Sequence, residues 1–233
     1  MKRAFIPAHG GFERLASYQK TQIIFRATYF IAGKWVRAGS RTRDQMEQSA
    51  RSGKQNIVEG SLASATSKQM ELTLTNVARA SIGELLEDFK DFLMVRNLPL
   101  WPKDSEKAMA IRDLSKGQNV TYETYRTYVE SDDPEVVGNV MICLCNQACY
   151  LLDQQIRELE LSFVEEGGIR ERMTKARIEA RNQADQAPVC PLCNKPMRRR
   201  TARKGTKAGT VFWGCPDFPE CKGTRALKVP SVP

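Results

Sequence analysis

Residues 133–168 read DPEVVGNVMICLCNQACYLLDQQIRELELSFVEEGG. Asp133 is a residue type that caps helix N-termini, Pro134 suits a first helical position, and Gly167-Gly168 suit a helix end. Between them Val137, Val140, Met141, Leu144, Ala148, Leu151, Leu152, Leu159 and Phe163 recur at three- and four-residue intervals on one stripe. The spacing predicts a helix of about 33 residues, a rod of roughly 50 Å. A one-sided stripe of that length needs other helices to cover it, because the preceding sequence contains no alternating strand pattern.

Upstream, three more helices carry such stripes. From Phe12 to Ile31 the apolar positions are Phe12, Leu15, Ala16, Ile23, Ala27, Phe30 and Ile31, with Gly33 and Gly39 bracketing the exit. A second helix is expected from Arg43 to Glu59 on the seam Met46, Ala50, Gly53 and Ile57, with Gly60 as its stop. The small residues Ala50 and Gly53 would let a neighbouring backbone come close. A third helix opens at Thr66, in capping-box spacing with Gln69, and continues through Leu74, Val77, Ala78, Leu85, Phe89, Phe92 and Leu93 until Asn97, Pro99 and Pro102 end it. Between Trp101 and Ser131 the pattern supports one short helix near Ser105–Ser115. The expectation is a mainly α chain whose residues 11–166 form a four-helix bundle.

Downstream of Gly168 the character changes. Of 36 Lys+Arg and 27 Asp+Glu, residues 1–166 hold 21 and 22, a net of −1, and residues 167–233 hold 15 and 5, a net of +10. The formal charge of +9 therefore belongs to the C-terminal third, and a concentrated excess of that kind points to a polyanionic partner. Residues 167–189 read as a basic helix and linker. Ile169, Met173, Ala176 and Ala180 hold a helical spacing among Arg170, Arg172, Lys175, Arg177 and Arg181, and Asn182 to Val189 is linker-like.

Residues 190–228 are of another kind. Cys190-Pro-Leu-Cys193 is followed, after 21 intervening residues, by Cys215-Pro-Asp-Phe-Pro-Glu-Cys221. Two close cysteine pairs suit the tetrahedral preference of a structural Zn2+ and leave no open position for catalysis. So small a segment, with Leu192, Met197, Val211, Phe212, Trp213, Phe218 and Leu227 as its large apolar residues, needs a metal to supply the stability its core lacks. Arg198, Arg199, Arg200, Arg203, Lys204 and Lys207 on one limb, and Lys222, Arg225 and Lys228 on the other, can track phosphates. Phe212, Trp213 and Phe218 offer faces for base stacking, although at least one of Phe212 and Trp213 is expected to pack over the metal site instead.

Cys190-Pro-x-Cys193, Met197, Arg199, Gly209-x-x-Phe212-Trp213-Gly214-Cys215-Pro216 and Phe218-Pro219-x-Cys221-Lys222-Gly223-Thr224-Arg225 resemble the C-terminal four-cysteine zinc ribbon of bacterial type IA DNA topoisomerases. The resemblance covers Cys190 to Arg225 and implies DNA binding, chiefly of single strands, without cleavage. Asn194 stands where that family usually has glycine; asparagine tolerates a left-handed turn, so the knuckle is expected to survive.

The N-terminal block carries a second resemblance. Gly10-Gly11-Phe12, Arg41-Thr42-x-Asp44-Gln45-Met46 and Ala50-Arg51-Ser52-Gly53-x-Gln55-Asn56-Ile57-x-Glu59-Gly60 are similar to the four-helix-bundle proteins encoded in intervening sequences of 23S rRNA genes, whose relatives include accessory proteins of diversity-generating retroelements. That family implies a ring of bundles, often a pentamer, that contacts nucleic acid or a reverse transcriptase. Its members often have a basic bundle surface, whereas this block nets −1.

Other patterns carry less. Cys143, Cys145 and Cys149 lie within one helix and read as small hydrophobes. Arg41, Arg43, Arg51 and Lys54 read as a solvated or ion-paired face. Glu84, Glu87, Asp88 and Asp91 suggest a di-iron bundle only until its missing histidines are counted: the chain has one, His9. No run approaches 18 apolar residues and no apolar signal core opens the chain, so no membrane span and a cytoplasmic location are expected. The expected function is non-enzymatic nucleic-acid binding, DNA before RNA, by zinc ribbons on a homo-oligomer, with no small-molecule substrate. The alternative is a protein–protein adaptor docking on a nucleic-acid enzyme such as a reverse transcriptase.

Overall fold

In the computed structural model, which describes residues 10–117, 119–166, 169, 171, 173–178, 187–202 and 209–227, the stretch after Asp133 is one continuous helix, Pro134–Glu166. The Asp133 carboxylate accepts from the Glu135 backbone N–H at 2.9 Å, the N-cap bond its sequence foretells. In chain order the helices are α1 (Ala16–Trp35), α2 (Arg41–Ala63), α3 (Lys68–Met94), α4 (Glu106–Leu114), α5 (Tyr122–Val129) and α6 (Pro134–Glu166), with a 3-10 turn at Phe12–Arg14. The chain divides into two compact units, Met1–Ile169 and Arg170–Pro233.

In the first unit α1 packs on α2 and α6, and α3 packs on α2 and α6, so each long helix has two long neighbours; α4 and α5 lie on α6. The core joins Ile24, Ile31, Met46, Ile57, Ile82, Leu85, Phe89, Met141 and Leu144, all fully buried. By length and composition α6 could cross a membrane, yet more than half of its apolar window is buried inside this unit. The buried part of its stripe runs from Val137 to Leu152; Leu159 is half-buried and Phe163 exposed. The stripe thus outlasts the core, because α6 has 33 residues and α1 only 20. Gly167 and Gly168, and much of the expected basic helix and linker, lie outside the described residues.

Three local expectations need correction. The first helix starts at Ala16 rather than Phe12, because Gly11 adopts φ 80° and a 3-10 turn intervenes, and it continues through Gly33 to Trp35. The cap of α3 is Ser67, whose hydroxyl accepts from Met70 N at 3.1 Å, while the Thr66 hydroxyl donates back to Ala63 O at 3.2 Å. Gly60 does not stop α2. It is buried inside it, where a Cβ would sit 3.3 Å from both Glu71 O and Leu74 Cβ of α3. The missing side chain serves close packing rather than a turn.

Gly53 serves the same contact, since a Cβ there would lie 2.5 Å from Ile82 Cδ1. Gly83, also helical, has open space around that position. Alanine gains about 1 kcal/mol of helix propensity at either site, but overpacking costs about 1–3 kcal/mol where the neighbour must move. Gly83→Ala is therefore expected to raise the thermal midpoint and Gly53→Ala to lower it. Equal shifts would contradict the close α2–α3 approach.

The second unit contains a three-stranded antiparallel sheet in the order β1 (Arg198–Thr201), β2 (Val211–Gly214), β3 (Thr224–Ala226). Arg199 lies opposite Trp213, which lies opposite Arg225; the alternate row is Arg200, Phe212 and Ala226. The unit has its own small core of Cys190, Met197, Trp213 and Cys215.

Candidate metal centre and nucleic-acid interface

Cys190 and Cys193 sit on a turn between Val189 and Pro196, residues that form an isolated antiparallel bridge. Cys190 N donates to Lys195 O at 2.9 Å and Asn194 N to Cys190 O at 3.0 Å, which folds the loop back on itself. Asn194 closes it with φ 58°, the left-handed conformation expected of it. The second pair follows β2. Cys215 N donates to Gly223 O at 3.0 Å and Cys221 N to Asp217 O at 2.9 Å. Lys195 and Asp217 join the two loops by an exposed 2.6 Å ion pair.

The four sulfurs face one point. Cys190 Sγ lies 3.7 Å from Cys221 Sγ, Cys193 Sγ lies 3.4 Å from Cys215 Sγ, and all four lie within 4.8 Å of one another. A tetrahedral zinc with Zn–S bonds of about 2.3 Å needs sulfur separations of about 3.8 Å. The site fits. Backbone N–H groups two residues on, from Leu192, Asp217 and Gly223, bond to the Cys190, Cys215 and Cys221 sulfurs. Those of Leu192 and Cys193 bring the Cys190 thiol down to about 7, while burial pushes Cys215 up to about 12. A bound cation would hold all four as thiolates and make its affinity pH-dependent. Gly223 completes the cradle, for a Cβ there would lie 2.2 Å from Cys190 Sγ. That steric role was not read from the sequence, although a glycine two residues after a ligand cysteine is its signal. Among the described residues this is the one cysteine cluster with ligand geometry. Cys145 is fully buried, Cys143 and Cys149 are half-buried, and burial raises all three thiols, as fits small hydrophobes.

The expected nucleic-acid residues divide by face. Trp213 is 7% exposed and packs with Met197, Cys190 and Cys215, so of Phe212 and Trp213 it is the one that packs into the ribbon core. Arg199 covers its ring at 5.3 Å. On the alternate face the Arg200 side chain crosses Gly214, whose absent Cβ would meet Arg200 Cδ at 2.9 Å, and reaches over the Phe218 ring at 5.7 Å. Phe212 is half-buried and Phe218 is 57% exposed. Arg198, Lys222 and Arg225 are exposed. Arg203, Lys204, Lys207 and Lys228 lie outside the described residues. The ribbon thus presents guanidinium groups together with the Phe218 ring, the combination that holds a strand by phosphate and by base face.

Residues 188–229 match the family model described as Topoisomerase DNA binding C4 zinc finger. No curated protein and no solved structure matches the chain. Residues 188–229 are thus a topoisomerase-type C4 zinc ribbon, built for a structural Zn2+ on Cys190, Cys193, Cys215 and Cys221.

Proposed function

We propose that the chain is a non-enzymatic, cytoplasmic single-stranded-DNA-binding protein whose ribbon supplies the contacts and whose helical unit sets the oligomeric state. The observation that carries this reading is the half-buried Arg200 reaching over the exposed Phe218 ring, beside Phe212, on a ribbon of topoisomerase type. In this reading the helical unit is a four-helix bundle of the intervening-sequence type. An assembled ring multiplies weak ribbon contacts through effective concentration, so no single ribbon needs high affinity. Among the described residues of the ribbon sheet no carboxylate lies on β1, β2 or β3, which suits a phosphate backbone.

Fluorescence anisotropy with labelled oligo-dT, the matching duplex and the matching RNA tests it. The single DNA strand is expected to bind tightest, with affinity falling steeply on a log–log salt plot. A flat slope, or no binding, replaces this reading with the adaptor. Phe218→Ala is expected to weaken binding by about 1–3 kcal/mol with the ribbon still folded. Trp213→Ala is expected to unfold the ribbon, because that ring lies in its core. Sedimentation equilibrium decides the assembly, and a monomer mass would remove the ring.

A further inference from the structure

A cleft of about 1420 Å³ opens on the helical unit between α1, the α4–α5 connection and α6. Its walls carry the cations Lys20, Arg26, Lys54 and Arg112 and a single carboxylate, Glu13. Two of the cations are the anomaly. Lys20 is 7% exposed, and its ammonium donates to Ser115 Oγ at 3.0 Å and to Tyr125 OH at 3.1 Å. These partners are neutral. Among the described residues no carboxylate lies within ion-pair distance of Lys20 or Arg112. Arg112 donates through Nε to Ala108 O, but its Nη2 is buried with no partner among the described residues.

Buried cations are ordinarily paired, and an isolated one costs more than a hydroxyl can return. Burial pulls Lys20 down to about 8, which still leaves it mostly charged near neutral pH. Lys20 and Arg112 line the same cleft, together with Ser115, which accepts from Lys20, and Gln147. The protons around Lys20 are already committed: Ser115 Oγ donates to Gln147 Oε1 at 2.7 Å, and Tyr125 OH lies 2.8 Å from Ser115 Oγ. What remains is the third N–H of Lys20 and the free Nη2 of Arg112. The carbonyl end of α4 offsets part of this charge, but a helix end is worth only a fraction of an ion pair.

We propose that the cleft binds a phosphorylated small molecule of nucleotide size, with its phosphate between Lys20 and Arg112 and its ring among the wall aromatics Tyr18, Tyr29 and Tyr150. A phosphomonoester brings the charge and the several acceptor oxygens that an ammonium and a guanidinium together require. The volume exceeds what inorganic phosphate fills, and the tyrosine rings offer a base or sugar a flat apolar contact. Arg26 is held on the Tyr122 ring at 3.9 Å and toward Glu123 at 3.4 Å, so it is placed at the wall rather than at the phosphate.

Isothermal titration of the full zinc-loaded chain with AMP, adenosine and inorganic phosphate tests this site separately from the ribbon. AMP is expected to bind at least tenfold more tightly than either fragment. Lys20→Met and Arg112→Met are each expected to weaken AMP tenfold or more, while Arg200→Ala leaves it unchanged. The thermal midpoint of ligand-free Lys20→Met is expected to match or exceed that of the parent, because an unpaired buried cation is replaced by an apolar chain of similar length. A marked fall in that midpoint would show that Lys20 serves only to bridge α1 to Ser115 and Tyr125, and would overturn the proposal. So would AMP binding that survives Lys20→Met, that follows Arg200→Ala, or that is absent at millimolar ligand.

Discussion

Withdrawal of zinc by a strong chelator, or the substitution Cys215→Ala, is expected to unfold residues 188–229 while the helical unit stays folded. The metal accounts for this asymmetry. The ribbon core consists of Cys190, Met197, Trp213 and Cys215, two of which are ligands, so without the ion little apolar burial opposes the entropy of the chain. Zinc binding in small finger peptides is worth on the order of 10 kcal/mol at neutral pH, and in such a module that energy is folding energy. The helical unit has a separate core and contributes no ligand to the metal. Near-ultraviolet signal from Trp213 is expected to collapse on chelation, and far-ultraviolet helicity is expected to persist. Gly223→Ala gives the same result by another route, since its Cβ would occupy the space of Cys190 Sγ. Because the ligands must be thiolates, zinc retention is expected to weaken as pH falls. A ribbon that keeps its fold in metal-free buffer would contradict the whole assignment.

Much of this architecture is legible because its signals are local. The Asp133-Pro134 start and the Cys-x2-Cys spacing need no knowledge of distant residues. The misplaced features depend on partners far along the chain. Gly60 looks like a helix end until α3 is laid against it. Helix α5 rests on Tyr122, Tyr125 and Val129, a short stripe whose polar tyrosine becomes a core residue through Lys20, 105 residues away. Strand parity singles out Trp213 as the ring that packs inward. Residues two apart on a strand share a face, so Trp213 goes with Cys215 toward the metal and Phe212 faces the other way. The sequence offers Phe212, Trp213 and Phe218 as aromatic faces, and only this parity decides which of Phe212 and Trp213 turns inward.

A chain ending at Ala184 is expected to lose single-strand affinity by at least about 100-fold, near 2.7 kcal/mol, while unfolding as the full protein does. The charge distribution and the cores both lead to this result. Residues 1–166 net −1 and residues 167–233 net +10, so removal of the ribbon takes away most of the cationic excess that can neutralise phosphate. It also takes Phe212 and Phe218, and with them base stacking of about 1–3 kcal/mol per base. Stability is expected to be unchanged because the helical core, from Ile23 to Leu152, contains no ribbon residue. Salt separates the two contributions. Lysine and arginine losses flatten the log–log slope, whereas Phe218→Ala lowers affinity at every salt concentration and leaves the slope alone. If the shortened chain binds single strands as tightly and with the same slope, the contacts lie on the helical unit and the ribbon meets another partner.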